Sequence, residues 1–141
     1  MRTATALFAA AALAALPAIA QAAGDPAKGK MIFNQCKACH SIIGSDGTPI
    51  NKGGMIGPNL YGVVGRQAGT YPKFNYSNAM KEAGQKGLHW NEADFVKYVA
   101  NPEAFLKDYT KDPTAHAKMM FHLTHNAEDV WAYLQSVGPK N

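Results

Sequence analysis

The segment Asn34–His40, which reads NQCKACH, contains the only two cysteines of the 141-residue chain. Two thiols with two residues between them, followed directly by an imidazole, suit three kinds of site: a redox-active dithiol, half of a zinc site, or a covalent anchor for haem. Each kind requires a different fold around the motif. The remainder of the sequence therefore indicates which of them the chain can build.

The sequence predicts helices near both ends of the chain and little regular structure between them. Asp25 and Pro26 form a helix start signal, and apolar residues at helical spacing continue the pattern to Cys36. The other predicted helices span 77–83, run from Asn91 to Asn101, follow Pro102 as a short segment, and run from a cap at Asn126 to Gly138. No segment shows a convincing alternation of a strand, so no sheet is predicted.

Two long stretches have no helical pattern, namely residues 41–76, which are rich in glycine, and residues 107–124. Structureless loops longer than about 15 residues normally argue against a compact domain. They become acceptable when a large apolar cofactor supplies the core that the chain lacks, with glycines allowing the backbone to lie close against it.

This organisation separates the three kinds of site. A redox dithiol belongs at the start of a helix in a strand-rich pattern, whereas Cys36 and Cys39 lie at the end of a predicted helix without strands. Zinc would need two further ligands at finger-like spacing, and the other histidines form no such pair with the motif. The sequence therefore favours haem attachment, with Cys36 and Cys39 bound to the ring and His40 on the iron.

Residues 1–22 have the pattern of a secretory signal peptide. Arg2 precedes an apolar run that reaches Leu16, and small residues follow Pro17. The run is about a dozen residues, well short of the roughly 20 that a membrane span needs, so a retained anchor is disfavoured. Cleavage is predicted after Ala22, with Ala20 as the alternative, and residues 23–141 form one domain exported to a bacterial periplasm.

The charge of the chain indicates the class of partner. The formal net charge is +4, from 14 Lys and Arg against 10 Asp and Glu. Removing Arg2 with the leader reduces it to +3, and Arg66 is then the only arginine. A modest surplus of lysine suits docking to an acidic protein face and argues against nucleic acid, which usually recruits arginine and a larger charge.

Six segments in the right order resemble the class I cytochromes c, and in particular the bacterial cytochrome c2 group. They read GDPAKGKMIFNQCKACHSI, GPNLYGVVGRQAGTYP, GLHW, YVANPEAFL, KMMF and EDVWAYLQSVG. The segment LKDYTKDPTAHAKMMF resembles the long-loop form of that group. The resemblance implies an all-α domain of four to five helices wrapped around one covalently bound haem c, with long irregular loops.

The resemblance also suggests the sixth iron ligand. A methionine is the neutral, soft choice that raises the reduction potential. The candidates after the leader are Met31, Met55, Met80, Met119 and Met120. Periodicity cannot choose between the two neighbours, but the Lys-Met-x-Phe pattern of the family matches Lys118–Phe121 and assigns Met119 as the ligand, with Met120 as packing filler.

Further roles follow from the resemblance alone. The carbonyl of Pro58 is expected to accept a hydrogen bond from His40 and so fix its tautomer. Arg66, Tyr76 and Trp90 match residues that hydrogen-bond the haem carboxylates, and Tyr98 is expected near Met119.

Three other expectations concern the packing. Gly29, Phe33 and Tyr133 match the crossing of the first and last helices. Ala117 and Met80 depart from the pattern of mitochondrial relatives. The histidines other than His40 are expected at the surface or in loops.

The implied function is one-electron transfer. With His40 and Met119 both on the iron, no position is open for a substrate. The resemblance implies a cytochrome bc complex as donor, a photosynthetic reaction centre or terminal oxidase as acceptor, and a monomer without a stable membrane anchor. The alternative is a small haem enzyme or gas-binding protein in which the sixth ligand is labile.

Overall fold

The structure, a computed structural model, describes residues 24–140 and consists mainly of five helices. The predicted signal peptide lies outside the described residues. The helices are α1 Pro26–Ile32, α2 Asn78–Gln85, α3 Glu92–Ala100, α4 Pro102–Thr110 and α5 Ala127–Val137. A 3₁₀ turn, Phe33–Gln35, extends α1, and the two short strands are β1 Ile42–Ile43 and β2 Pro49–Asn51. Among residues 24–140, none of the helices is long and apolar enough to cross a bilayer.

Helix α1 begins where the sequence predicts and ends earlier. The carboxylate of Asp25 accepts hydrogen bonds from the backbone N–H groups of Ala27 at 2.9 Å and Lys28 at 3.2 Å, so it satisfies two donors that the first turn leaves free. The helix was predicted to reach Cys36, but its last turn tightens because the N–H of Cys36 bonds the carbonyl of Phe33 at 2.8 Å. This tighter turn leads directly into the cysteine motif.

The crossing of α1 and α5 brings the two ends of the described chain together. A side chain at Gly29 would overlap the carbonyl of Asp129 and lie 2.9 Å from Cβ of Tyr133, so only glycine allows this approach. The rings of Phe33 and Tyr133 pack with centroids 5.7 Å apart. Phe33 is fully buried, which stabilises the crossing by about 1.5–3 kcal/mol. The predicted helix crossing is confirmed.

Helix α2 continues past its predicted end at residue 83, through Gly84 to Gln85. Ser77 caps it, with its hydroxyl accepting from the N–H of Met80 at 3.1 Å. Gly84 was expected to stop the helix, but it lies inside it, where a side chain would collide with the carbonyl of Ala68. Glycine serves here for close approach, and Gly87, with φ of 99°, follows the end of the helix. Met80 is buried in the core, as predicted.

Asparagines cap the later helices, although not always through their side chains. Asn91 and Asn101 accept hydrogen bonds from the N–H groups of Asp94 and Ala104, both at 3.0 Å. Helix α4 continues to Thr110, so the second irregular stretch is shorter than predicted. Asn126 precedes α5 as predicted, but it adopts the left-handed conformation and its side chain makes no capping bond.

The antiparallel pair of β1 and β2 is the feature that the sequence pattern missed. It joins Ile42 to Asn51 and Ile43 to Pro49, with an irregular register between the two pairs. Strands of two and three residues are too short to show alternation, and the turn between them forms through the carboxylate of Asp46. The rest of residues 41–76 is irregular except for an isolated bridge from Gln67 to His89.

Candidate haem site

The three residues of the predicted attachment motif lie in one turn after α1. The carbonyl of Cys36 accepts from the N–H groups of Cys39 at 3.1 Å and His40 at 2.9 Å. Both cysteines are half-buried, and they form no disulfide with each other. Burial, with a smaller effect of the neighbouring Cys39, raises the pKa of the Cys36 thiol to about 11. In this fold, therefore, the Cys36 thiol is almost fully protonated at neutral pH.

His40 is held in one tautomer by the following loop. Its Nδ1 lies 2.8 Å from the carbonyl oxygen of Pro58. A carbonyl can only accept, so Nδ1 carries the proton and donates it, and Nε2 keeps the lone pair that a metal requires. Burial lowers the pKa of His40 and outweighs the hydrogen bond, which favours the neutral, ligating form. The hydrogen bond predicted between these two residues is confirmed.

Glycines allow residues 53–57 to lie directly against the motif. The N–H of Gly54 donates to the carbonyl of Lys37, and that of Gly57 donates to the carbonyl of Cys39, both at 2.8 Å. A side chain at Gly57 would lie 2.6 Å from Nδ1 and 2.7 Å from Nε2 of His40. The backbone at Gly57 therefore forms one wall beside the imidazole ring.

Arg66 lies in a cluster of tyrosines and backbone carbonyls. Its guanidinium donates to the carbonyl oxygens of Asn59, at 3.1 Å, and Tyr61. Its central carbon lies 5.0 Å from the centre of the Tyr71 ring. Burial lowers the pKa of Arg66, and Tyr76 beside it opposes that shift. The expected contacts of Arg66 and Tyr76 with haem carboxylates stay predictions, and the structure brings these two side chains together.

An aromatic cluster connects α3 and α4. The ring of Trp90 lies 5.0 Å from that of Tyr98 and 6.2 Å from that of Phe105. Burial raises the pKa of Tyr98 far above its usual value, so its hydroxyl stays protonated. Its expected position near Met119 stays a prediction.

The five methionines differ sharply in exposure. Met31, Met55 and Met120 are 68%, 85% and 83% exposed, whereas Met80 is 6% exposed inside α2. Met119 is half-buried and packs against the hydrophobic core. Burial thus separates Met119 from its neighbour, in agreement with the family pattern and where periodicity could not choose. The prediction that Met120 fills the core is wrong, because its side chain points to solvent.

The remaining candidates for metal ligands do not converge. His89, His116, His122 and His125 are all exposed, as predicted. Within residues 24–140, no three side chains of His, Cys, Asp or Glu come together in a metal-binding group. This arrangement gives no support to a zinc site.

The residues present fit a haem group. A neutral imidazole with its Nε2 lone pair available, two free thiols in the same turn and one half-buried thioether supply the donors that a covalently bound, His/Met-ligated haem requires. Sequence reasoning missed one residue beside them, Asn59, whose side chain bonds both the N–H and the carbonyl of Ile43. Its place directly after Pro58 was the only signal in the sequence.

Known proteins similar to the chain were found by sequence and by structure. The sequence model of the family described as "Cytochrome c" matches residues 26–138. The cytochrome c2 of Cereibacter sphaeroides is 54% identical over 136 residues, which cover 94% of this chain and 93% of that protein. The cytochrome c2 of Rhodobacter capsulatus is 53% identical and covers 94% of this chain and 95% of its own length.

Solved structures give the same result. A structure of cytochrome c2 from Rhodobacter capsulatus superimposes with a TM-score of 0.79 at 54% identity, covering 81% of this chain and 98% of that one. Ferric cytochrome c-550 from Paracoccus versutus superimposes with a TM-score of 0.80 at 46% identity, covering 82% of this chain and 99% of that one.

Proposed function

The chain belongs to the cytochrome c family, and from that premise we propose that it is a periplasmic one-electron carrier that shuttles electrons between membrane redox complexes. That it is a haem c protein and an electron carrier rather than an enzyme follows from its cytochrome c2 relatives. The proposal adds the residues that hold the haem, the compartment and the partners.

In this proposal Cys36 and Cys39 would bind the ring covalently, and His40 and Met119 would bind the iron. When bound, the haem supplies an Fe(III)/Fe(II) couple. The observation that carries the proposal is the hydrogen bond from Nδ1 of His40 to the carbonyl of Pro58 at 2.8 Å. It orients the ring, leaves Nε2 for the metal and raises the basicity of the ligand.

The half-buried position of Met119 supports the second iron ligand. Its thioether is shielded by the core, whereas that of Met120 is solvated. Two protein ligands would leave the iron no open position for a substrate, and a neutral thioether favours the reduced state. Met119 therefore does two things in this proposal: it excludes other ligands and raises the reduction potential.

The leader and the charge of the chain support the proposed compartment and partners. The signal-peptide pattern of residues 1–22 supports export to the periplasm, with cleavage after Ala22 or Ala20. A cytochrome bc complex is the proposed donor, and a photosynthetic reaction centre or a terminal oxidase is the proposed acceptor. Rapid, short-lived contact with such partners favours steering by charge, which the lysine surplus supplies.

Intact-mass measurement tests attachment and processing together. Because thioether bonds survive denaturation, the purified protein should have the mass of the cleaved chain plus one haem, and neither cysteine should react with an alkylating reagent. The mass also distinguishes cleavage after Ala22 from cleavage after Ala20. A bare chain with two alkylatable thiols would overturn the proposed site.

Oxidation kinetics test the acceptor. In membranes that contain both candidate acceptors, rapid oxidation of the reduced protein only on illumination would assign the reaction centre. Oxidation in the dark that cyanide blocks would assign a terminal oxidase. If neither occurs, the proposed shuttle between membrane complexes is wrong.

A further inference from the structure

The side chain of Asn59 uses its full hydrogen-bonding capacity beside the histidine loop. Its amide oxygen accepts from the N–H groups of Ile43 and Tyr61, both at 3.0 Å. Its amide nitrogen donates to the carbonyl of Ile43 at 2.8 Å and to the hydroxyl of Tyr71 at 3.4 Å. A side-chain amide offers two donors and two acceptor positions, and all four are in use.

The backbone of Asn59 is fixed from the other side. Arg66 donates to the carbonyl oxygens of Asn59 and Tyr61, and its guanidinium lies over the ring of Tyr71. Asn59 in turn donates to the hydroxyl of the same tyrosine. The result is a closed ring of contacts around the residue that follows Pro58.

We propose that Asn59 is a positioning residue that holds the carbonyl of Pro58 in line with Nδ1 of His40 and thereby tunes the iron ligand. The inference rests on the proposed role of His40 as an iron ligand. Pro58 has no N–H of its own to anchor it, so the orientation of its carbonyl depends on its neighbours. On one side is Gly57, bonded to Cys39, and on the other is Asn59, bonded to β1.

The direction of the effect separates positioning from general stability. A hydrogen bond from Nδ1 raises the basicity of a ligating imidazole, which favours Fe(III). Weakening that bond should therefore move the reduction potential to more positive values. Loosening the site and admitting water should do the opposite, because solvent favours the more highly charged state of the iron. The sign of the shift thus reports which role Asn59 has.

The experiment uses the haem-loaded protein and two variants. Asn59→Leu removes all four hydrogen bonds at similar size. The matched control is Asn51→Leu. Asn51 lies in β2 of the same strand pair, and the change removes its hydrogen bond to the hydroxyl of Tyr133 in α5 at 3.2 Å. For each, we would measure the reduction potential, the exchange rate of the His40 Nδ1–H by NMR, and thermal stability.

Asn59→Leu should accelerate exchange of the His40 ring N–H by about tenfold, on the order of the effect that partners behind metal-bound histidines have on affinity. It should also shift the potential upwards. Asn51→Leu should change neither quantity. Unchanged exchange in Asn59→Leu, a downward shift, or an equal effect of the control would overturn the inference.

Two further observations keep the outcomes separate. In the ferric wild-type protein, a strong paramagnetic shift of the His40 ring protons reports iron ligation, and its absence would overturn the proposed site itself rather than the role of Asn59. If Asn59→Leu fails to fold, Tyr71→Phe removes one partner of the amide and keeps the ring beneath Arg66. A small upward shift is expected from Tyr71→Phe, and no shift would overturn the inference.

Discussion

The histidine side of the site is held by backbone hydrogen bonds, whereas the methionine side is held mainly by side chains. Around His40, the N–H groups of Gly54, Gly57 and Leu60 each donate to a carbonyl between Lys37 and Ser41, at 2.8–3.0 Å. The imidazole then bonds Pro58. Every one of these contacts joins residues 37–41 to the loop of residues 53–60, so the backbone of the fold orients the proposed ligand His40.

Residues 111–126, which carry Met119, are attached differently. Lys118 donates to the carbonyl of Asn75 at 2.8 Å through an exposed side chain. His116 meets Glu103 of α4 at 3.3 Å, also at the surface. The backbone bond that fixes this segment to a helix outside it runs from Leu123 to the carbonyl of Val99 at 2.7 Å.

The difference indicates which ligand can change. A segment with few backbone bonds and exposed side-chain contacts belongs to the part of a protein that opens at low cost in free energy. The hydrogen bonds around His40 should therefore stay intact when residues 111–126 open locally. The following changes test this contrast, from the largest expected effect to the smallest.

Met119→Ala should have the largest effect, because it removes a proposed iron ligand. The reduction potential should fall, small ligands such as imidazole should bind the iron, and stability should drop by about 2 kcal/mol or more. Met120→Ala is the control and should do none of this, since its side chain is 83% exposed. Redox titration and ligand-binding spectra check both, and equal effects would refute the assignment of Met119.

Gly57→Ala should be the next most severe change and affects the other side. The new methyl group would meet the imidazole of His40 at 2.6–2.7 Å, so the ring must move and lose its bond to Pro58. Stability should fall by about 1–3 kcal/mol, measured by denaturant unfolding. Gly138→Ala is the matched control, since a methyl group there would lie 3.2 Å from its nearest neighbour, the carbonyl oxygen of Leu134. If the control lost as much stability as Gly57→Ala, the close contact of the Gly57 backbone with the imidazole of His40 would not be the cause.

Lys118→Glu should slow association with an acidic redox partner by about 3–10-fold at low salt. Lys118 is exposed next to Met119, whereas Lys97 is exposed on α3. Lys97→Glu should therefore have much less effect. Stopped-flow rates across a series of ionic strengths check this, because screening reduces the contrast at high salt. If the two variants slow the reaction equally, lysines act only through net charge.

Glu103→Gln should have the smallest effect and one that depends on pH. Hydrogen bonds from Lys107 and His116 lower the pKa of Glu103 below its ordinary 4.5. Its ionised form therefore adds stability above pH 4.5, and this contribution is lost as the pH falls through the lowered pKa. Thermal unfolding should show wild type slightly more stable than the variant at pH 7 and equal to it once the pH lies well below the lowered pKa. A difference that persists in acid would contradict this ion pair as the cause.

The sequence predicted the parts of the fold that depend on local signals. Asp25, Ser77 and Asn91 precede helices in the structure and cap them through their side chains, because capping depends on residues within one turn. The histidine motif and its bond to Pro58 were also predictable, the motif from the spacing of its residues and the bond from family resemblance.

Features that depend on contacts between residues distant in the sequence were not predicted or were predicted wrongly. Gly84 looked like a helix stop, and only its approach to Ala68 explains it. No role was predicted for Asn59 from the sequence, and its four hydrogen bonds with Ile43, Tyr61 and Tyr71 appear only in the fold. Local pattern carries little information about such neighbours. Burial separates Met119 from Met120 where periodicity could not, in agreement with the family pattern.

The crossing of α1 and α5 has a consequence for the order of assembly. The N–H of Asp25 donates to the carboxylate of Asp129 at 2.6 Å, across 104 positions of the chain. Helix α5 is the last helix of the described chain, so α1 gains this partner only when nearly the whole chain is present. Until then α1, which leads directly into the cysteine motif, is not packed against α5.

Before the chain folds, the Cys36 thiol is not subject to the burial that raises its pKa to about 11 in the folded chain. The thiolate is the reactive form of cysteine, so we expect haem attachment to precede closure of the terminal helices. Pulse-labelling that found attachment only after the chain had become protease-resistant would contradict this order. In the expected order, the long sequence separation between α1 and α5 leaves the two cysteines accessible until haem attachment is complete.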